Sequence, residues 1–181
     1  MRLLAATLLE EFLIYRRAIC GLPSQAVRMD DEARQMIAKL RLEPLPEEGG
    51  YFRQTWMGSN GSAILFLMTP EGFSALHTIA QDEVWHFHAG DPVEHLQLDH
   101  PNRSAIVTRM GSDITAGDAP QLIVPRGMWQ GARLLEPRRG WALIGCVVTP
   151  PWDERGFVLG SREALMRDFP AETARIRTLT R

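Results

Sequence analysis

Two residue types that do acid–base work stand six positions apart in GFSALHTIAQDEVWHFHAG, residues 72–90: His77 and Glu83. They fall near the ends of two consecutive segments of β character, an arrangement that can aim an imidazole and a carboxylate into one cavity. A carboxylate beside a histidine orients the ring and favours its charged form. Such a pair can take a proton from a carbon next to a carbonyl, as isomerases and epimerases do. An epimerase also needs a proton donor on the opposite face, and Tyr51 is the candidate, because the other tyrosine is the distant Tyr15. The same pair also fits a buried hydrogen-bonded couple without chemistry.

Strand alternation extends the site. With Glu83 facing inward, Trp85 and Phe87 share its face, while Val84, His86 and His88 take the other. His86 and His88 are therefore read as packing or contact residues. His77 and Ile79 share a face on the preceding strand. Arg53 shares a face with Tyr51 in GGYFRQTW; its guanidinium suits a carboxylate or phosphate on a ligand, or a structural pair with Glu71 or Asp91. Trp85 and Trp129 can stack on a flat ring or a sugar. His95 and His100 read as surface or turn residues. No phosphate-cradling glycine loop or serine nucleophile elbow is present.

These residues need short strands to position them. From Tyr51 onward the hydrophobic period is two, and about nine aromatic or β-branched segments are separated by turn signals such as Ser59-Asn60-Gly61, Gly90-Asp91-Pro92 and Pro125-Arg126-Gly127. That spacing, without long intervening helices, predicts a mainly β antiparallel sandwich or barrel. A helix is expected from Asp30 or Asp31 to about Leu40, with Ala33, Met36, Ile37 and Leu40 on its apolar face. The chain after Pro150-Pro151 reads as loop. Residues 161–169 read as a short helix capped by Ser161, and 171–179 as another.

The chain of 181 residues is enough for one domain with a substantial core. Its net charge of −2, with acids interspersed among the arginines, gives no basic face for nucleic acid. Cys20 and Cys146 form neither a disulfide framework nor a metal-ligand spacing, which suggests a reducing, cytoplasmic setting. Cys146, in the apolar run WALIGCVV, reads as a small buried hydrophobe. Residues 1–28 read as an amphipathic helical extension and linker, with residues 29–181 as the single domain. The alternative is a biological start at Met29. The N-terminal run is too short and too charged to span a membrane.

At the level of motifs the chain resembles the cupin superfamily. Its first motif is matched by Gly72, His77, Glu83 and Gly90, with the gap from Gly72 to His77 one residue short and Ile79 in place of the second histidine. In the second motif, PRGMWQ, Pro125 and Gly127 match and Gln130 replaces the histidine. GGYFRQTW, TPEGFSALH, DEVWHFHAGDP, PQLIVPRGMWQ and LIGCVVTP look like the uncharacterised cupin family that has yeast and bacterial members. The resemblance runs from about Met29 to the C-terminus. It implies a double-stranded β-helix, or jelly-roll, usually as a homodimer, and places Gln130 inward. It also implies a likeness in shape to metal-independent keto-sugar-nucleotide epimerases. The expected activity is therefore an isomerase- or epimerase-type proton transfer on a small polar molecule, such as a sugar or sugar-nucleotide derivative, without a cofactor. In that reading His77, Glu83 and Tyr51 are catalytic, and Arg53, Trp85, Phe87, Gln130 and Trp129 bind substrate. Two alternatives stand beside it: a divalent-metal cupin enzyme using His77, Glu83 and Gln130, and a non-catalytic metabolite-binding protein. A metal site usually takes three or four N/O ligands, and here only one imidazole and one carboxylate are strong ones.

Overall fold

The computed structural model describes residues 31–181. The expectations for residues 1–28, Cys20 and a start at Met29 lie outside the described residues. Helix α1 (Asp31–Leu40) places Ala33, Met36, Ile37 and Leu40 at helical spacing, and this stripe packs on Leu67, Trp141 and Leu143. Its acidic first turn and Lys39 near its end complement the helix dipole.

Eleven strands follow: β1 (Glu43–Pro44), β2 (Tyr51–Met57), β3 (Ser62–Met68), β4 (Ser74–Thr78), β5 (Asp82–Gly90), β6 (Val93–Asp99), β7 (Ser104–Met110), β8 (Gln121–Val124), β9 (Trp129–Leu134), β10 (Ala142–Thr149) and β11 (Val158–Leu159). They form two sheets, in the orders β1-β2-β3-β10-β5-β8 and β11-β4-β9-β6-β7. Every pairing between these strands is antiparallel. The sheets face each other across a core that includes Phe66, Met68, Trp85, Val93, Met110, Ile144 and Cys146. This is the expected mainly β jelly-roll.

The outer faces are covered as well, which gives the domain three apolar clusters. Helix α1 lies on the first sheet. Helices α2 (Arg162–Asp168) and α3 (Thr173–Thr178) set Leu165 and Ile176 against Leu76, Leu96 and Leu98 of the second. Ser161 caps α2 as expected, its Oγ accepting from the Ala164 N–H. Gly90 closes β5 at φ 109°, and a Cβ there would lie 2.3 Å from the Trp141 carbonyl oxygen, so the turn into β6 requires glycine. Among the described residues no helix is long and apolar enough to cross a membrane.

Two boundaries differ from the sequence reading. Strand β9, whose alternation in the sequence is clear only over ARLLE at residues 132–136, begins at Trp129, because pairing with both β4 and β6 extends it backward through Gln130. The segment after Pro150-Pro151 is not featureless loop. A single 3-10 turn (Glu154–Gly156) and β11, paired to the edge of β4, bring Phe157 back over His77.

Candidate functional site

One face of β4 and one of β9 meet β5 across the interior, and this junction builds the site. His77 on β4 stands opposite Gln130 on β9 in the sheet register. Glu83 enters from the other sheet, on β5 between β8 and β10. His77, Glu83 and Gln130 are 3%, 7% and 0% exposed. A cavity of about 520 Å³ opens against this junction, within the range of small-molecule sites. His77, Ile79, Glu83 and Trp85 line it, joined by Glu48, Phe52, Cys146, Trp152 and Phe157.

Hydrogen bonds fix the orientation of each group. His77 Nδ1 lies 2.8 Å from the Ala75 carbonyl oxygen. A carbonyl only accepts, so Nδ1 carries the proton and Nε2 of the neutral ring keeps its lone pair. The ring stacks on Phe157 with centroids 5.3 Å apart. Glu48 Oε1 is 3.9 Å from Nδ1 and accepts the Ser74 hydroxyl at 2.7 Å. On the far side, Gln130 Nε2 donates to Glu83 Oε2 at 2.6 Å, and Gln130 Oε1 lies 3.3 Å from His95 Nε2. The amide oxygen can only accept there, so His95 donates from Nε2. The result is a directed chain from His95 through Gln130 to Glu83.

Burial sets the electrostatics. It pushes the Glu83 carboxyl above its ordinary value, against the opposing pull of His77 and the Gln130 hydrogen bond and with Glu48 adding to the rise. The Trp85 indole N–H leans toward the same carboxylate and lowers it slightly, without closing a hydrogen bond of normal geometry. Burial also holds the Cys146 thiol well above its usual value, with Glu83 adding to the effect, so it lines the cavity as an uncharged thiol. His95 is pushed down to about 3 by desolvation, which outweighs its bond to Gln130.

The two shifts have opposite consequences for stability. The unfolded chain takes up a proton near 6.5 that folded His95 refuses until about 3, so stability falls as pH drops through that window. Folded Glu83 holds its proton more tightly than the unfolded chain. Its contribution is full below about 4.5 and is lost as pH rises through its folded value. His95→Gln keeps a side-chain amide that can donate to Gln130. Urea unfolding of this variant should show a shallower acid-side loss, with the difference approaching about 1.4 kcal/mol per pH unit. An unchanged acid-side slope would mean that His95 does not titrate this way.

A family model described as Cupin superfamily (DUF985) matches residues 34–160. The chain belongs to this cupin family. A hypothetical protein from Leishmania major is 28% identical with a TM-score of 0.75, over 82% of this chain and 98% of that one. A Shewanella oneidensis protein is 31% identical with a TM-score of 0.74, over 82% and 97% of the two chains. Bacillus subtilis oxalate decarboxylase shares the fold at 16% identity and a TM-score of 0.52, and this chain spans 37% of its length. No curated protein matches.

This cupin places several expected site residues elsewhere. Phe52 and Gln54 line the cavity, so alternation on β2 turns Tyr51 and Arg53 outward. Tyr51 packs in the cluster beneath α1 and does not line the cavity that His77 faces. Trp129 packs with the C-terminal helices, because inward Gln130 forces its neighbour outward. Phe87 shares the interior face with Trp85 but packs in the main core and does not line the cavity. His95 is fully buried rather than at the surface, since β6 is central to its sheet and covered on both faces. His86 and His88 lie outside the cavity, and His100 is an exposed partner of Asp168.

The expected metal set does not fit either. Gln130 points its amide nitrogen at Glu83, its oxygen accepts from His95, and it does not line the cavity. Ile79 supplies only apolar surface. Among the described residues no three of His, Cys, Asp or Glu are placed to hold a metal ion.

Proposed function

We propose that this cupin binds a small polar carbonyl compound in its barrel and moves a proton on it. The observation that carries the reading is that an uncharged-favouring carboxyl, Glu83, and a free imidazole nitrogen, His77 Nε2, share one enclosed cavity. In this scheme His77 Nε2 takes the proton from the carbon beside the carbonyl while the Glu83 carboxyl gives its proton to the carbonyl oxygen. Reversal, with His77 returning the proton to the neighbouring carbon and Glu83 recovering its own from oxygen, completes an isomerisation. The fixed donor from Gln130 steadies the Glu83 carboxylate left behind, and Phe157 and Trp85 limit access of water. Tyr51 has no part in this scheme.

The cavity does not suit a sugar nucleotide. Among the described residues no arginine or lysine lines the cavity to meet a diphosphate, and Arg53 faces away.

The test is solvent-deuterium exchange followed by proton NMR over a panel of small hydroxy-carbonyl and amino-carbonyl compounds. Enzyme-dependent deuteration at one carbon is the expected result. A compound that binds in the cavity and is returned without deuterium would favour a binding protein without chemistry.

A further inference from the structure

The charge of the occupant can be read from the walls, given that the cavity is the ligand site proposed above. Three carboxylates line it, Glu47, Glu48 and Glu154, above the neutral-favouring carboxyl of Glu83, and among the described residues no arginine or lysine balances them. Glu47 and Glu154 are exposed at the mouth, Glu48 is half-buried, and Glu83 lies at the floor. The arginines nearby are engaged elsewhere. Arg155 pairs with Asp153, Arg126 with Asp82, and Arg181 with the backbone carbonyls of Glu47 and Glu48.

Among the aliphatic side chains of the remaining lining stand the aromatic rings of Phe52, Trp152 and Phe157. Ring faces attract cations, and do so more strongly where water is excluded. A second feature points to the same ligand. The His77 side chain is only 4% exposed, its Nδ1 is committed to Ala75, and its Nε2 is an acceptor without a hydrogen-bond donor among the described residues. An acceptor that opens on a cavity without a protein donor can take an N–H or O–H from the occupant.

We propose that the cavity selects a small organic cation, a protonated amine whose N–H groups meet Glu48 and His77 Nε2 and whose carbon body lies against Phe157 and Trp152. Anions are repelled by the same carboxylates. An amino-carbonyl substrate would hold its ammonium group on Glu48 alone and leave the single lone pair of His77 Nε2 for the proton on carbon.

Three probes of one shape separate the contributions: benzylamine, benzyl alcohol and benzoate, titrated at pH 7 against the full chain by tryptophan fluorescence and calorimetry. Benzylamine should bind at least about 10-fold more tightly than benzyl alcohol, a difference of one decade in Kd, and benzoate should not bind. Glu48→Gln should remove most of the preference for the amine. Glu154→Gln, at an exposed mouth position, should reduce it in a protein whose folding is not at issue. Equal or tighter binding of the alcohol or the acid, or an amine preference untouched by both variants, would overturn the charge assignment and leave the cavity as a ligand site. Failure of all three probes to bind would remove both the charge assignment and the ligand-site reading.

Discussion

With His77→Ala, deuterium incorporation into a bound carbonyl compound should fall by roughly 10²–10⁴-fold, the range that a positioned general base contributes. Binding of the same compound should change far less, so the loss appears in kcat more than in KM. The reason is the division of labour on the ring. Nδ1 is spent on the Ala75 carbonyl, and Nε2 is the nitrogen left to react. Glu83→Gln should give a loss of similar size, since an amide has the shape of the carboxyl but no transferable acidic proton. Cys146→Ser tests the specificity of this account. The thiol lines the same cavity yet stays protonated, so its replacement should leave exchange within a few-fold of wild type. Exchange lost in Cys146→Ser and retained in His77→Ala would assign the chemistry to the thiol.

The largest effect on stability should come from Trp85→Ala, at about 3–5 kcal/mol by urea unfolding. Trp85 is 1% exposed, meets Phe66 edge-on at 6.2 Å and meets His95 at 4.7 Å. Its removal joins the ligand cavity to a new void and bares the packing around Gln130 and His95. Trp152, 40% exposed at the mouth, is the control, and Trp152→Ala should cost less than about 1 kcal/mol. A Trp85→Ala protein as stable as the Trp152→Ala one would show that Trp85 does not carry the core in this way.

The inward set His77, Glu83 and Gln130 was legible in the sequence. Two short strands with a tight link leave little freedom in where their ends point, and motif spacing supplied the third strand. Trp85 followed from parity alone. Tyr51 and Arg53 were assigned to the wrong face for a physical reason. In Tyr51-Phe52-Arg53 both faces carry an aromatic or amphipathic residue, because α1 covers the outer face and makes it apolar too. Periodicity cannot choose between two buried faces. The same ambiguity misplaced His95. In β6 the leucines Leu96 and Leu98 face the C-terminal helices, while His95 and Gln97 occupy the other face. The usual rule that apolar residues mark the inside therefore runs backwards on this strand. Glu48, Trp152 and Phe157 had no local signal at all. They reach the cavity through the turn before β2 and the return of the chain after β10, which are tertiary features.

The central claim is that Glu83 is a carboxyl held toward its neutral form beside a free imidazole nitrogen. Carbon-13 NMR titration of the side-chain carboxyls, with Glu83 assigned by its absence in Glu83→Gln, measures this directly. Glu83 should titrate clearly above the ordinary carboxylate range and rise further in Gln130→Leu, where the donor to Oε2 is gone. A Glu83 carboxyl that titrates at or below the ordinary value, unmoved by loss of Gln130, would contradict it.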